Sequence, residues 1–313
     1  MKEFELIERI TRSLPDNGSV VKGAGDDCAV LDLGVPDRFL LFKTDAVVEG
    51  IHFSDSALPE QVGHKALGRC LSDLAAMAGT PSAVLVTLAL PENFDPHYVE
   101  KLYAGINALA RRHEVAVVGG ETTTNPGRLL VSISLLGWVP RDKMVLRSGA
   151  QIGDAIFVTG KLGGSLAGKH LEFEPRLAEA RWLRNHFGIH AMIDLSDGLA
   201  GDLVHVLKHS GVAAEILASA IPISREAKRA AKISTSAKAA LMAALSDGED
   251  FELLFTIAGR DAVPLLDAWK QQFPNLPLSC VGKIIPGEGV TIRDRQGVRP
   301  LRVHGYEHFA QAR

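Results

Sequence analysis

Cysteine is scarce in this sequence, and what little there is forms no pattern. Cys28, Cys70 and Cys280 are odd in number and make no CxxC pair. That argues against a disulfide framework and against a zinc site, and leaves reduced, mostly buried thiols as the expectation. Positive charge is not in surplus either. Against 37 acidic residues stand 34 Lys and Arg, for a formal net charge of −3, so no broad basic field invites nucleic acid or an anionic membrane. No apolar run approaches the ~18 residues of a membrane span. The opening "MKEFELIERI" carries charges throughout and does not read as a signal peptide. Short-period repeats are missing, which argues against a solenoid. A cytoplasmic globular protein is expected.

What is present is ordinary in bulk. Of 313 residues 46% are hydrophobic and 23% charged, enough to bury a core in about two domains. Phe4, Leu6, Ile7, Ile10 and Leu14 fall at helical spacing. "FLLFKTDAVV" reads as a strand, and residues 60–79 as a helix stopped by Gly79 and Pro81. "SAVLVTLALP" predicts a strand, Asp95 opens a helix, "EVAVVGG" predicts a buried strand and "LLVSISLLGWV" another strand. The polar stretch 138–153, punctuated by Pro and Gly, marks a boundary and divides the chain into 1–138 and 139–313. Beyond it come the strand "AIFVTG", a Gly-rich loop, a helix begun at "LSDGLAGDL", a helical stretch over 225–245, and the strands "FELLFTI" and "LSCVGKII". Mixed α and β segments in two units is the expected class.

Acids recur in one texture along this frame. "GAGDDCAV" sets Asp26 and Asp27 on a Gly-x-Gly turn, where adjacent carboxylates repel and glycines loosen the backbone. "KTDAVVEGIHF" holds Asp45, Glu49 and His52; "LSDLAAMAG" holds Asp73; "VVGGETTT" holds Glu121. "IDLSDGLAGDL" holds Asp194, Asp197 and Asp202, and "LSDGEDFELLF" holds Asp247, Glu249 and Asp250. Each alone has a dull explanation as a turn, a helix cap or a solvated face. Repetition at strand and helix ends points to one shared site. Acids alone repel a nucleotide's phosphates, and Mg²⁺ reverses the sign by taking carboxylate and phosphate oxygens together. Dispersed aspartates therefore suggest several Mg²⁺ ions on a polyphosphate. "GGSLAGKH" (163–170) nearly matches a P-loop, yet His170 stands where the motif needs a hydroxyl for Mg²⁺. A glycine-rich structural or phosphate-side loop is the better reading.

Taken in order, "GDDCAV", "KTDAVVEGIHF", "LSDLAAMAG", "VGGETT", "LRSGAQIGDAIFVTG", "IDLSDGLAGDL" and "DGEDFELLFT" closely resemble thiamine-monophosphate kinases, and "GYEHF" (305–309) resembles the family's end. The resemblance covers nearly the whole chain. It implies an α/β (α+β) protein of two domains: an N-terminal domain with a mixed sheet that pairs across a homodimer, and a C-terminal α/β domain. It also implies ATP and several Mg²⁺ ions between the domains, with thiamine monophosphate as the acceptor. Carried over by position, Asp27, Thr44, Asp45, Asp73, Glu121, Asp194 and Asp197 are expected at metal sites. Tyr103, Gly120, Glu121, Arg147 and Ser196 are expected on ATP, and His52, Glu249 and Tyr306 on thiamine phosphate. No residue is expected to act as a nucleophile.

Two departures stand out. The family's "GGDTT" is "GGETT" here, so Glu121 carries one methylene more. A family Ser or Thr is replaced by Lys43, on the same side of its strand as Asp45. Its ammonium either stands in for a metal ion or pairs with Asp45. The runners-up are a related enzyme, of the aminoimidazole ribonucleotide synthetase kind, and a non-catalytic nucleotide-binding protein. The last would be expected to have lost its acids, which are nearly all present.

Overall fold

The computed structural model describes residues 3–233 and 238–302. A helix, α1 (Glu3–Thr11), opens the chain, and six strands follow: β1 (Val20–Lys22), β2 (Ala29–Leu31), β3 (Arg38–Val48), β4 (Thr80–Leu90), β5 (Ala116–Thr124) and β6 (Leu130–Pro140). They form one sheet in the order β1-β2-β3-β6-β4-β5, antiparallel except for the parallel pair β4–β5. Burial along β6 alternates residue by residue, the signature of a strand with one face on a core. That face packs against two helices, α2 (Pro59–Ala76) and α3 (Pro96–Arg112). The opposite face stays open and carries Phe42, Thr44 and Leu85, all exposed.

Helix α2 starts at Pro59, and Gln61 Oε1 accepts the Leu58 N–H at 3.2 Å. From Val62 to Ala76 nearly all of it is buried, including Lys65, Ser72 and Asp73. A helix covered on every side cannot leave charges solvated, so each must find a partner inside. Its crossing with α3 is a backbone contact. A Cβ on Gly63 would stand 2.0 Å from the Leu102 carbonyl, and one on Gly105 1.9 Å from that of Glu60.

Downstream of Pro140 the chain builds a second sheet from β7 (Asp154–Thr159), β8 (Ile189–Asp194), β9 (Ala213–Leu217), β10 (Leu253–Ala258), β11 (Leu278–Ile285), β12 (Gly289–Asp294) and β13 (Gly297–Pro300). Its order is β13-β12-β9-β11-β7-β10-β8, and only β9–β12 is parallel. Every residue of β7 is buried, as expected of a strand with both faces covered. Helices α4 (Leu177–His186) and α8 (Ala262–Gln272) join α2 and the first sheet in one apolar cluster. Helix α5 (Leu199–Ser210) and α7 (Ala240–Ser246) close a second cluster on the other face. Between them, α6 (Arg225–Ile233) begins the stretch read as helical from sequence. Two mixed sheets with packed helices match the expected fold class.

One sequence expectation needs correcting. "EVAVVGG" was expected as a buried strand, but β5 is the edge of its sheet and exposed over most of its length, with Val118 62% accessible. Apolar composition reports what a strand can bury, not what this chain alone lays over it.

Candidate active site

The acids converge where α2 meets the ends of the two sheets. Asp27 lies on the turn before β2, Asp73 in the last turns of α2, and Asp194 at the end of β8. All three are buried, and each offers a carboxylate oxygen within 4.8 Å of the others'. Ser72 Oγ donates to Asp194 Oδ2 at 2.6 Å, and Arg147 Nη2 to Asp27 Oδ1 at 2.6 Å. Asp26 supports the turn, its Oδ1 accepting the N–H groups of Asp27 and Arg147. Burial and like charge act together here. Burial pushes Asp73 well up against the pull of Lys43, and burial with Asp27 beside it raises Asp194. Crowded acids of this kind are poised for a cation.

A cavity of about 120 Å³ opens nearby, lined by His52, Arg69, Ser196, Asp197, Glu249 and Phe251 among others. Two loops make its wall. The Glu249 N–H donates to the Ser196 carbonyl at 2.7 Å, and the Phe251 N–H to the Leu195 carbonyl at 2.8 Å. Glu249 and Phe251 both hold positive φ, 54° and 50°, a backbone state that non-glycine residues enter only when their surroundings over-determine it. Lys65 is the clamp. Its ammonium donates to Glu249 Oε2 at 2.5 Å and to the His52 carbonyl, and lies 2.8 Å from His170 Nδ1. Burial lowers Lys65 to about 8. Burial alone would raise Glu249, but the hydrogen bond with His170 and the charges of Lys65 and Arg69 bring it down to about 2. The Glu249 carboxylate is thus a fixed anion.

Other expected site residues lie differently. Asp45 accepts from Arg69 Nε at 3.0 Å, while Lys43 Nζ pairs with Asp73 Oδ2 at 3.0 Å rather than with Asp45. Thr44 projects from the open face, where its Oγ1 donates to the Ile133 carbonyl. Gly120 and Glu121 sit on exposed β5. A Cβ on Gly120 would meet the Val86 carbonyl at 1.8 Å, so β4 itself demands glycine there. Three strand spacings separate β5 from β3, roughly 14 Å. Within one chain Gly120 and Glu121 therefore lie well away from Asp45, and Thr44 turns to the face opposite α2. Tyr103 is half-buried on α3 against the core and does not line the cavity. Tyr306 and "GYEHF" lie outside the described residues.

The near P-loop is not one. Its glycines lead into two short 3-10 turns, Ser165–Ala167 and Lys169–Leu171, and Lys169 Nζ is spent on Glu252 Oε1 at 2.8 Å. Sequence reasoning missed Lys65, Arg69 and Ser72. A signal existed: Lys65, Arg69 and Asp73 recur every fourth residue, one face of a helix.

Residues 25–139 match the family described as AIR synthase related protein, N-terminal domain. A thiamine-monophosphate kinase of Rhodopirellula baltica is 40% identical over 288 residues, covering 90% of this chain and 87% of that one. The chain belongs to the thiamine-monophosphate kinase family. A thiamine-monophosphate kinase of Escherichia coli K12 is 34% identical over 333 residues, 98% of each chain. Among solved structures, AaThiL complexed with AMPPCP and TMP matches with a TM-score of 0.82 at 32% identity, covering 98% of this chain and 97% of that chain. As a thiamine-monophosphate kinase fold, the chain has both of its sheets contributing to the carboxylate cluster and the cavity.

His52 carries a pH signature within this site. Its Nδ1 accepts the Val48 N–H at 3.0 Å, and burial together with the Arg69 charge lowers it from 6.5 to about 4. A neutral ring is favoured in the folded state, so its contribution is fully present above about 6.5 and is lost as pH falls toward 4. Thermal midpoints measured across that window are expected to fall more for the native chain than for His52→Asn. Parallel curves would mean that His52 is not held neutral.

Proposed function

We propose that the chain transfers the γ-phosphoryl group of ATP to the phosphate of thiamine monophosphate, giving thiamine diphosphate. One observation carries the reading. A buried three-carboxylate cluster and a cavity walled by a fixed Glu249 anion lie side by side, in a chain similar end to end to AaThiL, whose structure holds AMPPCP and TMP. A cationic thiazolium ring suits the Glu249 carboxylate, and His52 and Tyr306 are its other proposed contacts.

Magnesium fits the acid cluster. Asp27 Oδ2 is buried without a hydrogen-bond partner among the described residues, and the donors are hard carboxylate oxygens. Asp27, Asp73 and Asp194 would hold the ion, with Asp197 beside them. When bound, it supplies positive charge to phosphate oxygens. Arg147 gives a guanidinium to the ATP phosphates, and Ser196 is a further ATP contact. No Ser, Cys or His nucleophile paired with a base is part of the proposed machinery, so the acceptor phosphate oxygen attacks the γ-phosphorus directly and ADP leaves.

A homodimer is part of the proposal. The open sheet face carries exposed Phe42 and Leu85, and edge strand β5 exposes Val118, surface that a second copy would cover. A partner there also offers Gly120 and Glu121 a route to nucleotide that their own chain lacks, and Tyr103 remains a proposed ATP contact from α3. Domains of 1–138 and 139–313 and a cytoplasmic location complete the reading. The test is a product assay with ATP, Mg²⁺ and thiamine monophosphate. Thiamine diphosphate and ADP in equal amounts are expected; no diphosphate, with turnover of another phosphate ester, would overturn it.

A further inference from the structure

Two side-chain cations stand inside the acid cluster, on the side facing β3. Strand alternation turns Lys43 and Asp45 to the α2 side of the sheet, and helical spacing brings Arg69 and Asp73 to the facing side of α2. Lys43 Nζ lies 3.0 Å from Asp73 Oδ2, and Arg69 Nε 3.0 Å from Asp45 Oδ2. All four side chains are more than three-quarters buried. Arg69 Nη1 is buried with no hydrogen-bond partner among the described residues, while the Arg69 side chain also lines the cavity. Asp45 and one oxygen of Asp73 are thus already neutralised by groups that cannot leave.

A divalent ion would need those same oxygens at about 2.1 Å, far inside the space that the ammonium and guanidinium occupy. On the other side, where Asp27, Asp73 and Asp194 converge, the Asp27 Oδ2 atom has no partner. The site is therefore asymmetric: at one end Arg147 takes one Asp27 oxygen and leaves Oδ2 open to a metal, and at the other Lys43 and Arg69 fill the space.

We propose that Lys43 and Arg69 are resident cations that replace divalent metal on the Asp45 side of the site and hold substrate phosphate there directly. Ammonium and guanidinium groups both bind phosphate oxygens through charged N–H donors, and Arg69 has a donor to spare. The inference rests on the phosphoryl-transfer reading of the site. It assigns Asp45 to anchoring Arg69 rather than to metal binding, and confines Mg²⁺ to the Asp27–Asp73–Asp194 end.

The test counts ions rather than turnover. The full-length chain is titrated with Mn²⁺ in the presence of AMPPCP. Bound Mn²⁺ per chain is read from the free-ion electron paramagnetic resonance signal, and AMPPCP binding by calorimetry. Lys43→Thr is expected to bind more Mn²⁺ per chain than the native protein, because it uncovers Asp73. Lys43→Arg is expected to keep the native count. If Lys43→Thr does not fold, Arg69→Gln asks the same question from Asp45, with the same expected rise. Equal counts in the native protein and the charge-removing variant, with AMPPCP still bound, overturn the resident-cation inference alone. If the native protein binds no AMPPCP with Mn²⁺, the kinase reading falls and takes this inference with it.

Discussion

Asp27→Asn is expected to cut thiamine diphosphate formation by roughly 10²–10³-fold, the range for removing one preorganised electrostatic group, while leaving the fold intact. The carboxylate is buried, faces Asp73 and Asp194, and keeps one oxygen without a protein partner. An amide there offers one neutral oxygen where a charged ligand is needed. Stability should move little because two effects oppose. Arg147 loses its charged partner at 2.6 Å, but Asp26 and Asp194, both raised in part by the charge of Asp27, are relieved of it. Crowded acids at such a site strain the empty protein. The check is kcat at saturating Mg²⁺ and ATP beside the thermal midpoint. Native activity in the variant would sink the assignment of Asp27 to the metal.

Lys65→Met is expected to cost about 3–5 kcal/mol of stability, the usual result of removing one partner from a buried ion pair. That corresponds to a fall of roughly 5–8 °C in thermal midpoint for a chain of 313 residues. Methionine fills much the same volume, so the loss is electrostatic rather than a cavity. Lys65 is fully buried, and without it the Glu249 carboxylate keeps His170 and Arg69 nearby, on a loop already in a left-handed conformation. Adding Glu249→Gln should restore much of the stability, since an amide leaves no buried charge behind. Thermal denaturation of both single variants and the double variant measures the coupling. An unchanged Lys65→Met, or a double variant whose losses simply add, would mean that the pair does not hold the loop.

Much of the candidate site is legible in the sequence because its acids sit in contiguous blocks. "GDD", "LSDL" and "IDLSD" each join a carboxylate to the strand or helix end that carries it, and a short block keeps its local geometry. The cations were harder. Arg69 reaches Asp45 across 24 positions, Arg147 reaches Asp27 across 120, and Lys65 reaches Glu249 across 184. Spacing places Lys65 and Arg69 on one helix face, but nothing local tells which carboxylate each of the three cations meets. Only the burial of α2 on all sides forces Lys65, Arg69 and Asp73 to find their partners, Glu249, Asp45 and Lys43.

The two alternative roles read for Lys43 divide in the same way. Strand alternation correctly put its side chain on the side of Asp45. Its partner, however, is Asp73 on the helix opposite, because Arg69 approaches from the same helix and takes Asp45. The error over β5 has a parallel cause. Valines in "EVAVV" state a preference for burial, and the sheet order leaves that strand at an edge with nothing of its own chain above it. By itself the sequence determined the fold class, the order of the acid blocks and their membership of a family, since these follow from local periodicity and contiguous motifs. The tertiary structure alone decided which acids share a centre, which cation neutralises each, and which strand stays open. Those depend on distances between segments remote in the chain, and at such distances charge and burial, not local pattern, choose the partner.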